Sequence, residues 1–195
     1  MKPKKTTVIL ILCVVAMVVI LVCFFLPFGM PKTEEQLLKA TITRVVCIAC
    51  FAVLVSYVGY FAYCNRRLNA KTLLLCLPFM LVAVNNFPYT AYLTGLFTLS
   101  ATAIEVVLYV TMCISIGIFE ELFFRGVISV YLIRKFGKTR RGLVGAVLLS
   151  SAIFALSHLI NLVDGASVGA TLLQVGYSFL IGGMLTVCLL ICGNI

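Results

Sequence analysis

Six apolar runs, at 7–28, 45–64, 73–93, 101–124, 143–163 and 168–192, constrain this 195-residue chain more than anything else in it. Each reaches the length, about 20 residues, that a helix needs to cross the hydrocarbon core of a bilayer. The first two are uninterrupted. The run 143–163 carries His158 and Asn161, 101–124 has charges near both ends, and 168–192 holds one Gln. Pro78, Asn85, Asn86 and Pro88 break up 73–93. Composition agrees: 63% of residues are hydrophobic and 11% charged, with a mean hydropathy of +1.20. A soluble domain is about half apolar and about a quarter charged, so this chain has too little polar surface to cover a water-facing core. The sequence predicts an all-α, polytopic transmembrane bundle of six spans in the lipid bilayer. No soluble linker or internal repeat divides it, so 1–195 reads as a single transmembrane domain.

Lys2, Lys4 and Lys5 give the first run a signal-peptide-like start. Its apolar stretch is longer than the usual roughly 7–15 residues, and no A-x-A site follows, so it reads as a retained anchor. The net charge of +9 lies mostly in loops: Lys2/Lys4/Lys5, Arg66/Arg67/Lys71 and Arg134/Lys135/Lys138/Arg140/Arg141. Counting spans places all three clusters on one side, with Lys32, Glu34, Glu35, Lys39, Arg44 and Asp164 on the other. This is the positive-inside pattern with a cytoplasmic N-terminus. The clusters are therefore accounted for by topology and anionic headgroups, and nucleic acid is not an expected partner. The short loops favour a bacterial plasma membrane. Nine cysteines fall almost wholly in apolar stretches, and Cys47 and Cys50 form a C-x-x-C without a second pair. They read as small buried hydrophobes, with no disulfide framework or zinc ribbon.

An ionised group at the bilayer centre costs roughly 2.5–3.5 kcal/mol. Asn85, Asn86 and Gln174 are neutral, Glu34 and Glu35 are expected in a loop, and Glu105 sits at the interfacial start of its span. The costly groups gather at 118–126, Ile-Phe-Glu-Glu-Leu-Phe-Phe-Arg-Gly. Glu121 and Arg125, four apart, share a helix face, so that pair reads as orienting. Glu120 points about 100° away and meets Phe124 rather than a cation at the same spacing. Apolar neighbours and little water are the condition under which a carboxylate takes and returns a proton near neutral pH. The competing reading ends the span near Phe119, leaving both acids at the interface and Arg125 snorkelling.

His158 is the sole histidine, and Phe154, four residues earlier, shares its face. An intramembrane histidine is a functional candidate, although one alone can simply bond a carbonyl. Glu120 and His158 on neighbouring helices could together hold and polarise one water, with Asn161 as a further polar contact.

Glu-Glu-x-x-x-Arg at Glu120, Glu121 and Arg125, followed roughly thirty residues later by Phe-x-x-x-His at Phe154 and His158, resembles the motif pair of the CPBP intramembrane proteases. That family includes the CAAX prenyl endopeptidases and bacteriocin-processing, Abi-type proteins. The resemblance covers the C-terminal half and implies a glutamate-type membrane endopeptidase without a cofactor, acting on a peptide or prenylated-protein-like substrate near the cytoplasmic face. By that resemblance Glu120 activates the attacking water and His158 helps hold it. Glu121 and Arg125 orient the site and Phe154 shapes the pocket; Phe124 and Asn161, outside the motif, are further candidates for the pocket lining. A later family motif, His-x-x-x-Asn or His-x-x-x-Asp, supplies oxyanion donors, and this sequence does not contain it. The terminal Gly193-Asn194-Ile195 resembles the loop preceding it, so the chain is expected to be truncated relative to the family.

The missing motif leaves open a non-catalytic immunity or peptide-binding protein on the same scaffold. Zinc hydrolysis using His158 and the glutamates is a thinner alternative, because a catalytic zinc normally takes three protein ligands and no H-E-x-x-H occurs. A transporter would need a repeat partner for the interrupted run 73–93. Gly182 and Gly183 permit close helix packing, and oligomeric state is not legible.

Overall fold

The computed structural model describes residues 5–58, 89–96 and 100–192, together with the single positions 70, 74, 77 and 81. Apart from Leu74, Leu77 and Leu81, the interrupted run 73–93 as far as residue 88 lies outside the described residues, as do the lysines at 2 and 4, the cluster Arg66/Arg67/Lys71 and the terminal Gly193-Asn194-Ile195. The described elements are all helical. They are α1 (Lys5–Phe25), α2 (Lys32–Val58), α3 (Tyr89–Leu93), α4 (Ala103–Glu120), a π-helix (Glu121–Ser129), α5 (Val130–Phe136), α6 (Arg140–Ser157), a 3-10 segment (His158–Leu162) and α7 (Val168–Cys192). Four helical runs among them, Lys32–Ser56, Ala103–Phe136, Arg140–Leu162 and Val168–Ile191, are long and apolar enough to cross a membrane, and Val14–Cys23 is a shorter apolar stretch. The expectation of an all-α transmembrane protein holds.

What is buried makes the same point. Among the described residues, the largest fully buried side chains are Arg125, Val55, Thr171, Thr186, Ser129, Ser150 and Ser151, whereas Val107, Ile114, Leu173 and Leu180 are exposed. A soluble protein does the reverse. In lipid the apolar side chains need no shelter, and helices associate through small and polar residues instead.

Chain contacts divide the molecule into two compact units, Met1–Tyr57 with Pro78–Glu120, and Val58–Leu77 with Glu121–Ile195. In the first unit, Gly29 turns the chain between α1 and α2 at φ 68, a left-handed conformation that glycine adopts without a steric penalty. Pro31 precedes α2, and its carbonyl accepts the Glu35 N–H at 2.9 Å. Glu34 and Glu35, expected in a loop, therefore stand in the first helical turn. The reason is electrostatic: acids complement the positive end of a helix, and hydropathy marks only the apolar middle of a longer helix. Glu35 pairs with Lys39 at 2.6 Å, and buried Glu34 accepts from Thr102 Oγ1 at 3.4 Å. Thr102 and Glu105 cap α4 reciprocally: the Thr102 N–H donates to Glu105 Oε2 at 2.7 Å, and the Glu105 N–H to Thr102 Oγ1 at 3.1 Å. This is the capping box that T-x-x-E encodes. Near the other end of α4, the Phe119 ring meets Phe51 of α2 edge-on at 5.7 Å.

In the second unit, α5 and α6 are joined by a short turn in which Thr139 Oγ1 accepts the Gly142 N–H at 3.1 Å. The basic cluster Arg134, Lys135, Lys138, Arg140 and Arg141 occupies this turn and the adjoining helix ends. Helices α6 and α7 lie close together because Gly182 has no side chain. A Cβ there would stand 3.0 Å from Phe154 Cδ1 and 3.4 Å from Ser151 Cα. Beside this approach, Ser129 of the π-helix, Ser150 of α6 and Thr186 of α7 share a buried hydroxyl cluster, with Ser129 Oγ 2.5 Å from Ser150 Oγ and 3.4 Å from Thr186 Oγ1. Thr186 also donates to the Gly182 carbonyl at 2.8 Å, so the cluster ends on backbone.

Candidate active site

The paired acids fall on either side of a change in helix type. Glu120 is the last residue of α4 and belongs to the first unit, with its side chain half-buried. Glu121 opens the π-helix and the second unit. A nine-residue π segment is uncommon, and such segments are found frequently at functional sites. It is stitched in place by Ser129, whose hydroxyl donates to the Phe124 carbonyl five residues back at 2.9 Å.

From Glu121 onward a continuous set of contacts links the two halves of the predicted motif. Arg125 is 1% exposed, and its Nη1 lies 3.3 Å from Glu121 Oε1. A buried charge needs such a counterion, since desolvation of an uncompensated ion costs several kcal/mol, of order 3–5 when one partner is removed. The same guanidinium lies over the Phe154 ring, 4.3 Å from its centroid. Phe124 packs against Phe154 edge-on at 4.9 Å, and the Phe154 and His158 rings are perpendicular at 5.0 Å. In the second unit, then, Glu121, Phe124, Arg125, Phe154 and His158 form one chain of neighbours.

His158 sits where α6 gives way to the 3-10 segment, and its backbone N–H turns to the Ala155 carbonyl. The Phe154 carbonyl takes side chains instead: Ser157 Oγ donates to it at 2.7 Å, and His158 Nδ1 lies 3.0 Å away. A carbonyl oxygen only accepts, so Nδ1 carries the proton. In the neutral ring this leaves Nε2 as the lone-pair nitrogen, available to accept a hydrogen bond. Asn161, three residues on, donates from Nδ2 to Gln174 Oε1 of α7 at 2.7 Å. The carboxamide pair ties the 3-10 segment to α7. Among the described residues, no group of three His, Cys, Asp or Glu side chains is placed to hold a metal ion.

Sequence reasoning singled out Glu121, Arg125, Phe154 and His158, and they come together. It missed Ser129, Ser150 and Thr186, the hydroxyls that fix the π-helix against α6 and α7. Their one sequence signal is small polar residues within apolar runs, which many membrane helices share.

The long apolar helices and the buried polar interior define an integral, multi-pass membrane protein. Residues 101–195 match the family model described as Type II CAAX prenyl endopeptidase Rce1-like, and over that stretch the chain is similar to the CAAX-protease (CPBP) family. No curated protein and no solved structure matches the chain.

Proposed function

We propose that the protein is a glutamate-type intramembrane endopeptidase that hydrolyses a peptide or prenylated-protein-like substrate near the cytoplasmic face. The observation that carries this is the contact of His158 Nδ1 with the Phe154 carbonyl oxygen at 3.0 Å. A water-holding histidine needs its other nitrogen free as an acceptor, and this arrangement supplies it. The family match over 101–195 supports the hydrolase class.

In this reading Glu120, the chain neighbour of Glu121, takes a proton from water while the water oxygen attacks the scissile carbonyl carbon. The carbon–nitrogen bond then breaks, and the proton passes from Glu120 to the leaving amine. By the family resemblance His158 is the residue that helps hold the attacking water, with Nε2 as its acceptor. Glu121 and Arg125 are positioning residues, because their pair fixes the helix that begins immediately after Glu120. Phe124 and Phe154 give the substrate an apolar wall, and Asn161 with Gln174 braces the segment that carries His158. The basic turn between α5 and α6 supports the cytoplasmic assignment by the positive-inside rule.

The test is cleavage of a farnesylated and an unmodified peptide by the full chain reconstituted in liposomes, followed by mass spectrometry. Wild type should cleave at least one of them, and Glu120→Gln should slow it by about 10²–10⁴-fold, the usual contribution of a positioned general base. Equal cleavage by Glu120→Gln would remove the glutamate mechanism.

A further inference from the structure

The first unit contains a cavity of about 480 Å³ between α1, α2 and the end of α4, within the size range of small-molecule pockets, roughly 300–1,000 Å³. Ile20, Cys23, Cys47 and Phe119 give it apolar walls, and Lys39 and Arg44 give it two cations. Among the described residues, no carboxylate lines it. Lys39 has its charge met from outside by Glu35 at 2.6 Å. Arg44 is half-buried, and its Nη1 donates to the Ala40 carbonyl of its own helix at 3.2 Å. That bond satisfies one of the five donors of a guanidinium and none of its charge. The cavity thus carries one positive charge beyond its internal pairing, on the residue type whose planar fork matches phosphate.

Position decides what kind of anion fits. Arg44 lies midway along the candidate span Lys32–Ser56, between the charged turns that begin α2 and the apolar residues that follow. A soluble anion would find the cation but leave the apolar walls unfilled. An amphiphile satisfies both. We propose that this cavity is a binding site for a glycerophospholipid of net negative charge, with the headgroup phosphate on the Arg44 guanidinium and an acyl chain along Ile20, Cys23 and Phe119. The inference does not depend on the peptidase reading, since every group it uses lies in the first unit, outside the matched motif residues.

Native mass spectrometry of the full chain in detergent, with equimolar phosphatidylglycerol and phosphatidylcholine of identical acyl chains, reads the site directly. Wild type should retain phosphatidylglycerol over phosphatidylcholine by about fivefold, which corresponds to about 1 kcal/mol for one cation near a membrane surface. Arg44→Gln should bring the ratio to about one, Arg44→Lys should keep most of the preference, and Arg134→Gln, in the second unit, should leave it unchanged. Cys47→Phe, which fills the cavity and keeps the charge, should lower phosphatidylglycerol retention and gives an independent reading if Arg44→Gln fails to fold. Equal retention of the two lipids by wild type, or an undiminished preference in both Arg44→Gln and Cys47→Phe, would overturn the site. Displacement of the lipid by excess inorganic phosphate would overturn the lipid assignment in favour of a soluble anion.

Discussion

The guanidinium carbon of Arg125 stands 4.3 Å from the centroid of the Phe154 ring. One residue comes from the π-helix and the other from α6, so this contact physically joins the two sequence motifs within the second unit. A cation held over a ring away from water contributes about 2 kcal/mol. Arg125→Lys keeps the charge but loses the planar fork that meets the ring and Glu121 together. It should lower the unfolding free energy by about 1–2 kcal/mol, measured by denaturant titration of the purified protein in detergent. Wild-type stability in this variant would show that the stacked geometry contributes nothing.

His158→Asn separates anchoring from chemistry. Asn can still donate to the Phe154 carbonyl, as His158 Nδ1 does, but it has no counterpart of Nε2. The variant should melt close to wild type, within about 1 kcal/mol. Peptide cleavage should fall by about 10²-fold or more. A variant that cleaves normally would show that Nε2 has no part in the reaction.

Ser150→Ala removes the closest contact of the buried hydroxyl cluster, the one to Ser129 Oγ at 2.5 Å. Interhelical hydrogen bonds in membrane proteins average about 0.6 kcal/mol and reach about 1.7. The short distance and complete burial place this one toward the upper value. A double-mutant cycle with Ser129→Ala should show coupling of about 1 kcal/mol, and additive single effects would show that the two hydroxyls do not interact.

Gly182→Leu should separate α6 from α7, because even a Cβ at this position meets Phe154 and Ser151 at 3.0 and 3.4 Å. Overpacking of this kind costs about 1–3 kcal/mol. Leu adds three carbons beyond the Cβ and should reach the upper end. The displaced Phe154 would also move the carbonyl that holds His158, so cleavage should fall along with thermal stability. Gly182→Leu with a normal melting curve would mean that the helices can part without loss.

The long helices were legible because lipid leaves few alternatives. A run such as 168–192 must satisfy its own backbone hydrogen bonds, and a helix does so. The pair Glu121–Arg125 and the pair Phe154–His158 were legible from their four-residue spacing alone. The helix type between Glu121 and Ser129 was not, since no single residue encodes a π turn. Nor was the partner of Asn161: Gln174 was visible as a polar residue in an apolar run, but its bond to Asn161 depends on how α7 returns past the 3-10 segment. The helical state of Glu34 and Glu35 escaped because hydropathy discards the charged turn that begins α2. The cluster of Ser129, Ser150 and Thr186 joins three separate elements, and long-range pairing of common residue types leaves no local trace.

The π-helix has one more consequence. Each of its turns takes about one residue more than an α turn, so the segment that starts at Glu121 differs from an ordinary helix by a small whole number of residues. Such a difference is gained or lost a codon at a time. In an ordinary helix, deleting one residue between Glu121 and Arg125 would leave the pair three apart and still on one face, but it would turn everything before the deletion about 100° relative to everything after it. At this point of the chain, a change in length is a more radical mutation than a change in identity.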